Sequence, residues 1–293
     1  MNSFANYHPF VLLIYYIAVL SMTMFMMHPV ILFLSLLGSL LFFFMLTSVR
    51  TLCKEVRFYL FVFILIAVTN PLFVHKGETI LFFLNDNPVT FEAIIYGVFI
   101  SMMLIAIIFW SKAYSIVMTS DKFVYLFGKA IPKLSLVISM ALKFVPSFKY
   151  QIKKVQSTQK TLGLYTSDSV TDRIVSGIRT FNSMISWSLE HAIEQGDAMK
   201  AKGYGLKGRT NFSLFKWNKR DSMTLIVILL LFFSVMFVNG MGGYQFSYYP
   251  TLSEWNGMEN VIGKHIIIMC LVFLPSLIEI KENLQWKYAK SKI

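Results

Sequence analysis

The chain has 293 residues, of which 56% are hydrophobic and 14% charged, with a mean hydropathy of +0.61. Soluble domains carry about 25% charged residues, so this composition argues against an ordinary soluble enzyme and for a chain whose main solvent is lipid. The net charge of +12 would suit a nucleic-acid partner, but in an apolar chain the bias of cytoplasmic loops toward Lys and Arg explains it better, and no nucleic acid is expected. Cys53 and Cys270, the only cysteines, are far apart, which argues against a disulfide framework or a structural zinc site.

A membrane-spanning helix needs about 20 mostly apolar residues. The first 49 residues hold no Asp, Glu, Lys or Arg. They divide at His28-Pro29 into candidate spans 10–27 and 29–49, because proline ends one hydrogen-bond ladder and begins another. No Lys or Arg precedes the first run and no clean small-residue cleavage site follows it, so it reads as a retained helix rather than a signal peptide. Further spans are expected at 58–74, 91–110, 222–238 and 261–278. Asn70-Pro71 should kink or end the third. Lys264 falls in the first turn of the sixth and can snorkel to the interface.

Charge orients these spans. Arg50, Lys54 and Arg57 follow the second against Glu55 alone, whereas the loop after the fifth, residues 239–260, has Glu254 and Glu259 and no Lys or Arg. Residues 111–221 hold 18 Lys and Arg against 7 Asp and Glu, which is nearly the whole net charge of the chain. The basic segments alternate, so six spans with both termini cytoplasmic satisfy every loop. The expected fold is all-α: a polytopic membrane protein of about six transmembrane helices plus two or three long amphipathic cytoplasmic helices. Its divisions are 1–120 with four spans, 121–221 as the cytoplasmic region, and 222–293 with two spans and a tail.

The large basic segment keeps too many apolar residues to be disordered. A short helical stretch is expected over 121–130, before Pro132. Val137, Ala141, Phe144, Phe148, Ile152, Val155 and Leu162 recur at helical spacing while Lys143, Lys149, Lys153, Lys154 and Lys160 fall largely off that stripe. Pro146 should bend this helix and Gly163 should cap it. Ser167-Asp168-Ser169 makes a break, and Ser169 with Asp172 fits a capping box opening a second helix. The stripe of that helix is Val170, Ile174, Ile178, Phe181, Ile185, Ala192 and Met199, stopped at Gly203-Tyr204-Gly205. The apolar faces can be buried on the membrane surface, on each other, or in a partner's groove.

Chemistry-bearing motifs are scarce. Residues 203–210 imitate a phosphate-binding loop, but a helix precedes them and Arg209 stands where lysine is required. His8, His28, His75, His191 and His265 are never within helical spacing of one another, so no metal site forms from sequence neighbours. The cluster Met22, Met24, Met26 and Met27 suits packing in lipid better than metal binding. No cofactor is expected. The spans hold almost no ionisable residues, and Glu92 lies at a membrane edge. An ion-coupled carrier would place a charged relay at mid-membrane, so a self-sufficient channel or secondary carrier is the weaker alternative, and a membrane enzyme lacks clustered His, Asp or Glu.

The run from Asp121 to Pro132, the run SMALKFVP from Ser139 to Pro146, and AMKAKGYG from Ala198 to Gly205 together resemble the transmembrane T component of energy-coupling factor (ECF) transporters, the family that includes the cobalt-transport Q protein. The resemblance is close in the loop and loose in the spans. It implies a non-enzymatic scaffold in the cell membrane of a prokaryote, part of an ATP-driven importer for a vitamin, vitamin precursor or transition-metal ion. Two ABC-type ATPase subunits and a small substrate-capture membrane protein would be its partners beside the lipid bilayer. In the family, two cytoplasmic coupling helices end in Ala-Arg-Gly motifs that insert into grooves on the ATPases. The second motif falls here on Ala201, Lys202 and Gly203, and the first on Thr161, Leu162 and Gly163, preceded by Gln159 and Lys160. Lysine keeps the charge at one end without arginine's planar fork. At the other, either Lys160 supplies the charged contact or the end docks by apolar insertion of Leu162. The bland reading of Lys202 is local stabilisation of a helix C-terminus by a cation.

Overall fold

The computed structural model describes residues 3–84, 87–164, 170–204, 206, 215–252 and 258–290, and the chain divides into two compact units, Met1–Lys122 with Phe215–Ile293 and Phe123–Leu214. The first unit is built from α1 (Pro9–Phe25), α2 (Pro29–Leu46), α3 (Val49–Phe73), α4 (Phe91–Val117), α8 (Lys219–Gly240) and α9 (Met258–Lys290), with the two-stranded antiparallel hairpin β1 (Ile80–Leu84) and β2 (Asn87–Thr90) between α3 and α4. The cytoplasmic region expected from sequence forms α5 (Ser120–Ala130), α6 (Pro132–Thr161) and α7 (Val170–Ala201). Among the described residues, five helices are long and apolar enough to cross a membrane: α2, α3, α4, α8 and the Gly263–Lys290 part of α9. The sixth apolar helix, α1, has 17 residues, about 25 Å at 1.5 Å per residue. The protein is an all-α polytopic membrane protein, with the small hairpin as an addition.

Three boundaries differ from the sequence reading. The charged stretch after the second span is not a loop. It is the first two turns of α3, and Thr47-Ser48 alone joins α2 to α3. Arg50, Lys54 and Arg57 stand exposed there at i, i+4 and i+7 along one helix face, so helix and charge coexist. α4 likewise continues past the expected end to Val117, where Lys112 pairs with Glu55 of α3 and lies 4.7 Å over the Tyr59 ring. α3 passes through Asn70-Pro71 to Phe73, and the Asn70 amide donates to the Ala93 carbonyl at 2.9 Å. Pro71 sits in the last turn and leaves the Ala67 carbonyl without its helical donor. α9 extends well beyond the expected span end at 278 to Lys290, so much of the expected tail is helical.

The core of the first unit is aromatic. Tyr15, Tyr16, Phe42, Phe109 and Trp110 are fully buried, and edge-on contacts join Tyr15 to Trp110 at 6.0 Å and Tyr16 to Trp110 at 6.3 Å. Three polar side chains are satisfied within it: Trp110 Nε1 donates to Ser35 Oγ at 3.1 Å, Thr23 Oγ1 lies 2.7 Å from Ser35 Oγ, and the Tyr15 hydroxyl donates to the Val272 carbonyl at 3.2 Å. The buried Tyr16 hydroxyl has no such partner among the described residues, which is costly in this medium. Gly38 of α2 lets α9 approach: a Cβ there would fall 2.1 Å from Val272 Cγ1.

Candidate functional site

The two glycine-stopped helix ends proposed from sequence lie in the second unit, at the C-termini of α6 and α7. Both close with one hydrogen-bond pattern. At the end of α6, Gly163 N–H donates to Lys160 O at 3.1 Å and Leu164 N–H to Gln159 O at 3.1 Å, with Gly163 at φ +69°. At the end of α7, Gly203 N–H donates to Lys200 O at 2.9 Å and Tyr204 N–H to Met199 O at 3.0 Å, with Gly203 at φ +72°. This is the Schellman closure, in which a left-handed residue turns the chain so that two N–H groups satisfy carbonyls the helix leaves open. Glycine suits that position because a Cβ is strained at positive φ.

The shared frame aligns the two ends residue by residue. Lys160 corresponds to Lys200, Thr161 to Ala201, Leu162 to Lys202, Gly163 to Gly203 and Leu164 to Tyr204. Lysine therefore occurs at both ends two positions before the capping residue, and the difference in charge falls on that residue, just past the last helical positions Thr161 and Ala201, where Leu162 is 69% exposed and Lys202 is also exposed. Neither Lys160 nor Lys200 is peculiar to its end. Of the residues beyond the second cap, Gly205 and Gly208-Arg209-Thr210 of the phosphate-loop imitation lie outside the described residues, and the helix α7, not a strand, precedes that segment. The break at Ser167-Asp168-Ser169, with its cap at Ser169, also lies outside them.

α6 and α7 run antiparallel. Phe144 lies against His191 with ring centroids 5.7 Å apart, Phe148 against Trp187 at 5.4 Å, and the Thr180 hydroxyl, one donor shared between two acceptors, reaches Gln159 Oε1 at 3.2 Å and the Ser176 carbonyl at 3.0 Å. Trp187 stacks on His191 at 5.0 Å and 15°. α6 passes through Pro146 as one element of 30 residues. The antiparallel register puts the two capped ends at opposite ends of the pair. Thr180 faces Gln159, and Ala201 lies 21 residues further along α7, roughly 30 Å away at 1.5 Å per residue. Outside the contact the helices are apolar and exposed, at Val137, Val145 and Ile152 on α6 and at Val170, Ile174, Ile178 and Phe181 on α7.

The first unit contains an anchorage that the sequence reading missed. The 3-10 turn Phe4–Asn6 is held by buried Glu279 of α9, whose carboxylate accepts from Ser3 N–H at 3.1 Å and Phe4 N–H at 3.0 Å. Buried Asp221 of α8 accepts from His8 N–H at 3.1 Å and from Asn218 N–H at 2.9 Å, completing a capping box. Buried Lys122 donates to Ala5 O and Val117 O, at 2.5 and 2.8 Å, and burial lowers its pKa. Arg220 lies 4.3 Å over the Tyr7 ring and pairs with Glu282 at 3.0 Å. One short turn thus ties the residue where the chain leaves α4 for the second unit, Lys122, to the residues where it returns, Asn218 and Asp221. A carboxylate that receives two N–H groups is worth burying, but nothing at single-residue spacing announces a partner more than 200 positions away.

At the other end of the bundle the distant histidines converge. The rings of His28 and His265 are 5.2 Å apart, with Tyr244 at 6.1 Å from His28. Burial, and secondarily His265, lower the His28 pKa to about 4, and burial raises Tyr244 to about 12. Among the described residues no group of three or more His, Cys, Asp or Glu is placed to hold a metal ion.

Fold and site together define a multi-pass membrane protein carrying a pair of amphipathic helices between its fourth and fifth apolar helices. Residues 2–213 match the cobalt transport protein family, CbiQ, and the chain belongs to that family. It is 27% identical over 187 residues to the energy-coupling factor transporter transmembrane protein EcfT of Listeria innocua, covering 59% of this chain and 69% of that one. The protein of the same description from Staphylococcus aureus is 25% identical over 182 residues, covering 58% and 68%. The one from Bacillus selenitireducens is 32% identical over 113 residues, covering 38% and 42%.

Proposed function

We propose that the chain is the transmembrane scaffold, the T component, of an energy-coupling factor importer in a bacterial cell membrane. The observation that carries this reading is the pair of matched Schellman ends on antiparallel helices in a member of the CbiQ family. The capped ends are the docking elements for two ABC-type ATPase subunits, and their spacing of roughly 30 Å suits one ATPase at each end. The docking residues are Lys160, Thr161, Leu162 and Gly163 on α6 and Ala201, Lys202 and Gly203 on α7. ATP hydrolysis belongs to those partners, and the chain itself is not an enzyme. The exposed apolar flanks of α6 and α7 suit a small substrate-capture membrane protein, whose cargo is a vitamin, a vitamin precursor or a transition-metal ion. The charge asymmetry of the loops supports cytoplasmic placement of residues 121–221 and of both termini. Pro146 is a bend-permitting point in α6, since it leaves the Leu142 carbonyl without its helical donor.

The carrier alternative needs a charged relay at mid-membrane, and the buried carboxylate within α9, Glu279, is instead occupied by the Ser3 and Phe4 N–H groups. Purification of the tagged chain in mild detergent, followed by identification of what accompanies it, separates the two readings. Two ATPase subunits and a small membrane protein are expected. A lone chain that transports solute after reconstitution into liposomes would overturn the scaffold reading.

A further inference from the structure

The β1–β2 hairpin joins the end of α3 to the start of α4, and its first strand has no polar face. Side chains alternate between the two faces of a strand, yet Ile80, Leu81, Phe82, Phe83 and Leu84 are all apolar and all 49–67% exposed. Among the described residues the strand pairs with β2 alone, through Ile80 with Thr90, Phe82 with Val89, Phe83 with Pro88 and Leu84 with Asn87. Its neighbours in the chain continue the pattern: Phe73, the last residue of α3, is 79% exposed and Phe91, the first of α4, is 45% exposed.

The base of this hairpin is rigidly built. Glu92, 3% exposed, accepts from the Thr79 hydroxyl at 2.7 Å and from Thr79 N–H at 3.3 Å. The Thr90 hydroxyl donates to Lys76 O at 2.8 Å, and Phe91 N–H to Thr79 O at 3.0 Å. Gly77, at φ +138°, passes so close that a Cβ there would meet Glu92 Oε2 at 2.5 Å. A buried carboxylate therefore fixes where an apolar ribbon points.

We infer that the hairpin is a membrane-surface wedge, seated at the headgroup–acyl boundary of the leaflet that holds the N-terminal end of α4. Lipid is the occupant that fits, because it covers both faces of the ribbon at once, whereas a protein groove receives one face. The hairpin also adjoins two helix ends that cross the bilayer boundary, so the lipid interface lies at its own level. It stays at the interface rather than in the hydrocarbon, because a two-stranded ribbon leaves edge N–H and C=O groups that need water or headgroups. Glu92, in this account, is a positioning residue for the ribbon.

The test is depth measurement on the full chain reconstituted in phosphatidylcholine–phosphatidylglycerol vesicles. Cys53 and Cys270 are first replaced by serine, and spin labels are introduced singly through Leu81→Cys, Phe82→Cys and Phe83→Cys, with Lys154→Cys on the exposed face of α6 as the aqueous reference. Collisions with oxygen exceeding those with a water-soluble nickel complex at successive positions, the reverse of the reference, are expected. Nickel collisions exceeding oxygen at these sites would place the ribbon in water and overturn the wedge. Low collision rates with both reagents would show that protein covers it, and would overturn it as well. Glu92→Gln in the labelled Phe83→Cys chain should increase label mobility while the chain remains inserted; unchanged mobility would overturn the positioning role of Glu92.

Discussion

The ends of α6 and α7 share one backbone closure and differ in charge at one position. The same two hydrogen bonds and a left-handed glycine near φ +70° close both, and both carry lysine two positions before the residue that precedes the glycine. The charge differs at that residue, Leu162 on α6 and Lys202 on α7. The comparison teaches that the backbone cap and the docking chemistry are independent. A Schellman closure fixes the direction of the chain whatever side chain precedes the glycine, so the two ends can address unlike partners with one geometry. It also gives Lys160 a counterpart, since Lys200 occupies the same place at the other end. Leu162 is then the contact proposed for the α6 end, and an unlike pair of ATPase subunits is its natural counterpart.

The comparison is broken most directly at Lys202. Lys202→Glu should reduce recovery of ATPase with the tagged chain at least about tenfold, the loss of an anchor worth roughly 2 kcal/mol, while membrane insertion is retained. Recovery equal to the wild type would remove Lys202 from docking and leave it as a helix-end cation. The α6 end is tested by a pair of substitutions. Leu162→Asp should weaken recovery by about 1–2 kcal/mol, in the range for loss of a buried leucine contact, and Leu162→Lys, which makes the ends alike, should weaken it too if the groove is apolar. Tighter binding by Leu162→Lys would instead show that both grooves want a cation.

The caps themselves separate by less. Gly163→Ala and Gly203→Ala should each cost about 1 kcal/mol through positive φ, read as faster amide exchange in the last turn. Gly203→Ala should cost more, because its Cβ would meet Leu206 Cδ1 at 3.0 Å, whereas nothing lies within 4 Å of a Cβ at Gly163. Equal exchange in the two variants would show that Leu206 gives way freely. A separate effect lies outside the helix ends and sets the pH at which they are best compared. Because His28 has its folded pKa near 4 and an unfolded value near 6.5, the unfolded chain takes up a proton first, and stability falls as pH drops from about 6.5 to about 4. His28→Gln should flatten that slope in thermal melts, and an unchanged slope would assign it to other groups.

Much of the molecule was legible beforehand, and the reasons are specific. Six apolar runs became six helices because the absence of water leaves the helix as the one open-ended way to satisfy a backbone. The amphipathic stripes ending at Leu162 and Met199 became α6 and α7 because a period of 3.6 with a glycine stop is written locally. The charged residues 50–57 misled, since charge marks the end of a span but not the end of a helix, and α3 begins at Val49. The hairpin left a weaker trace because its run lacks the alternation that marks a half-buried strand.

What the amino-acid order determined by itself is therefore local: which segments are helical, where glycine stops them, and that one cap follows leucine and the other lysine. Only the tertiary structure decided that α6 and α7 pair antiparallel, which sends the two caps to opposite ends, and that Glu279 and Lys122 grip the turn at Phe4–Asn6 while Asp221 holds His8 just after it. Helices and caps depend on contacts within about five residues, where spacing is information. Pairing depends on groups 21 to 47 residues apart and clamping on groups more than 100 apart, and their partners are chosen by the packing that brings them together.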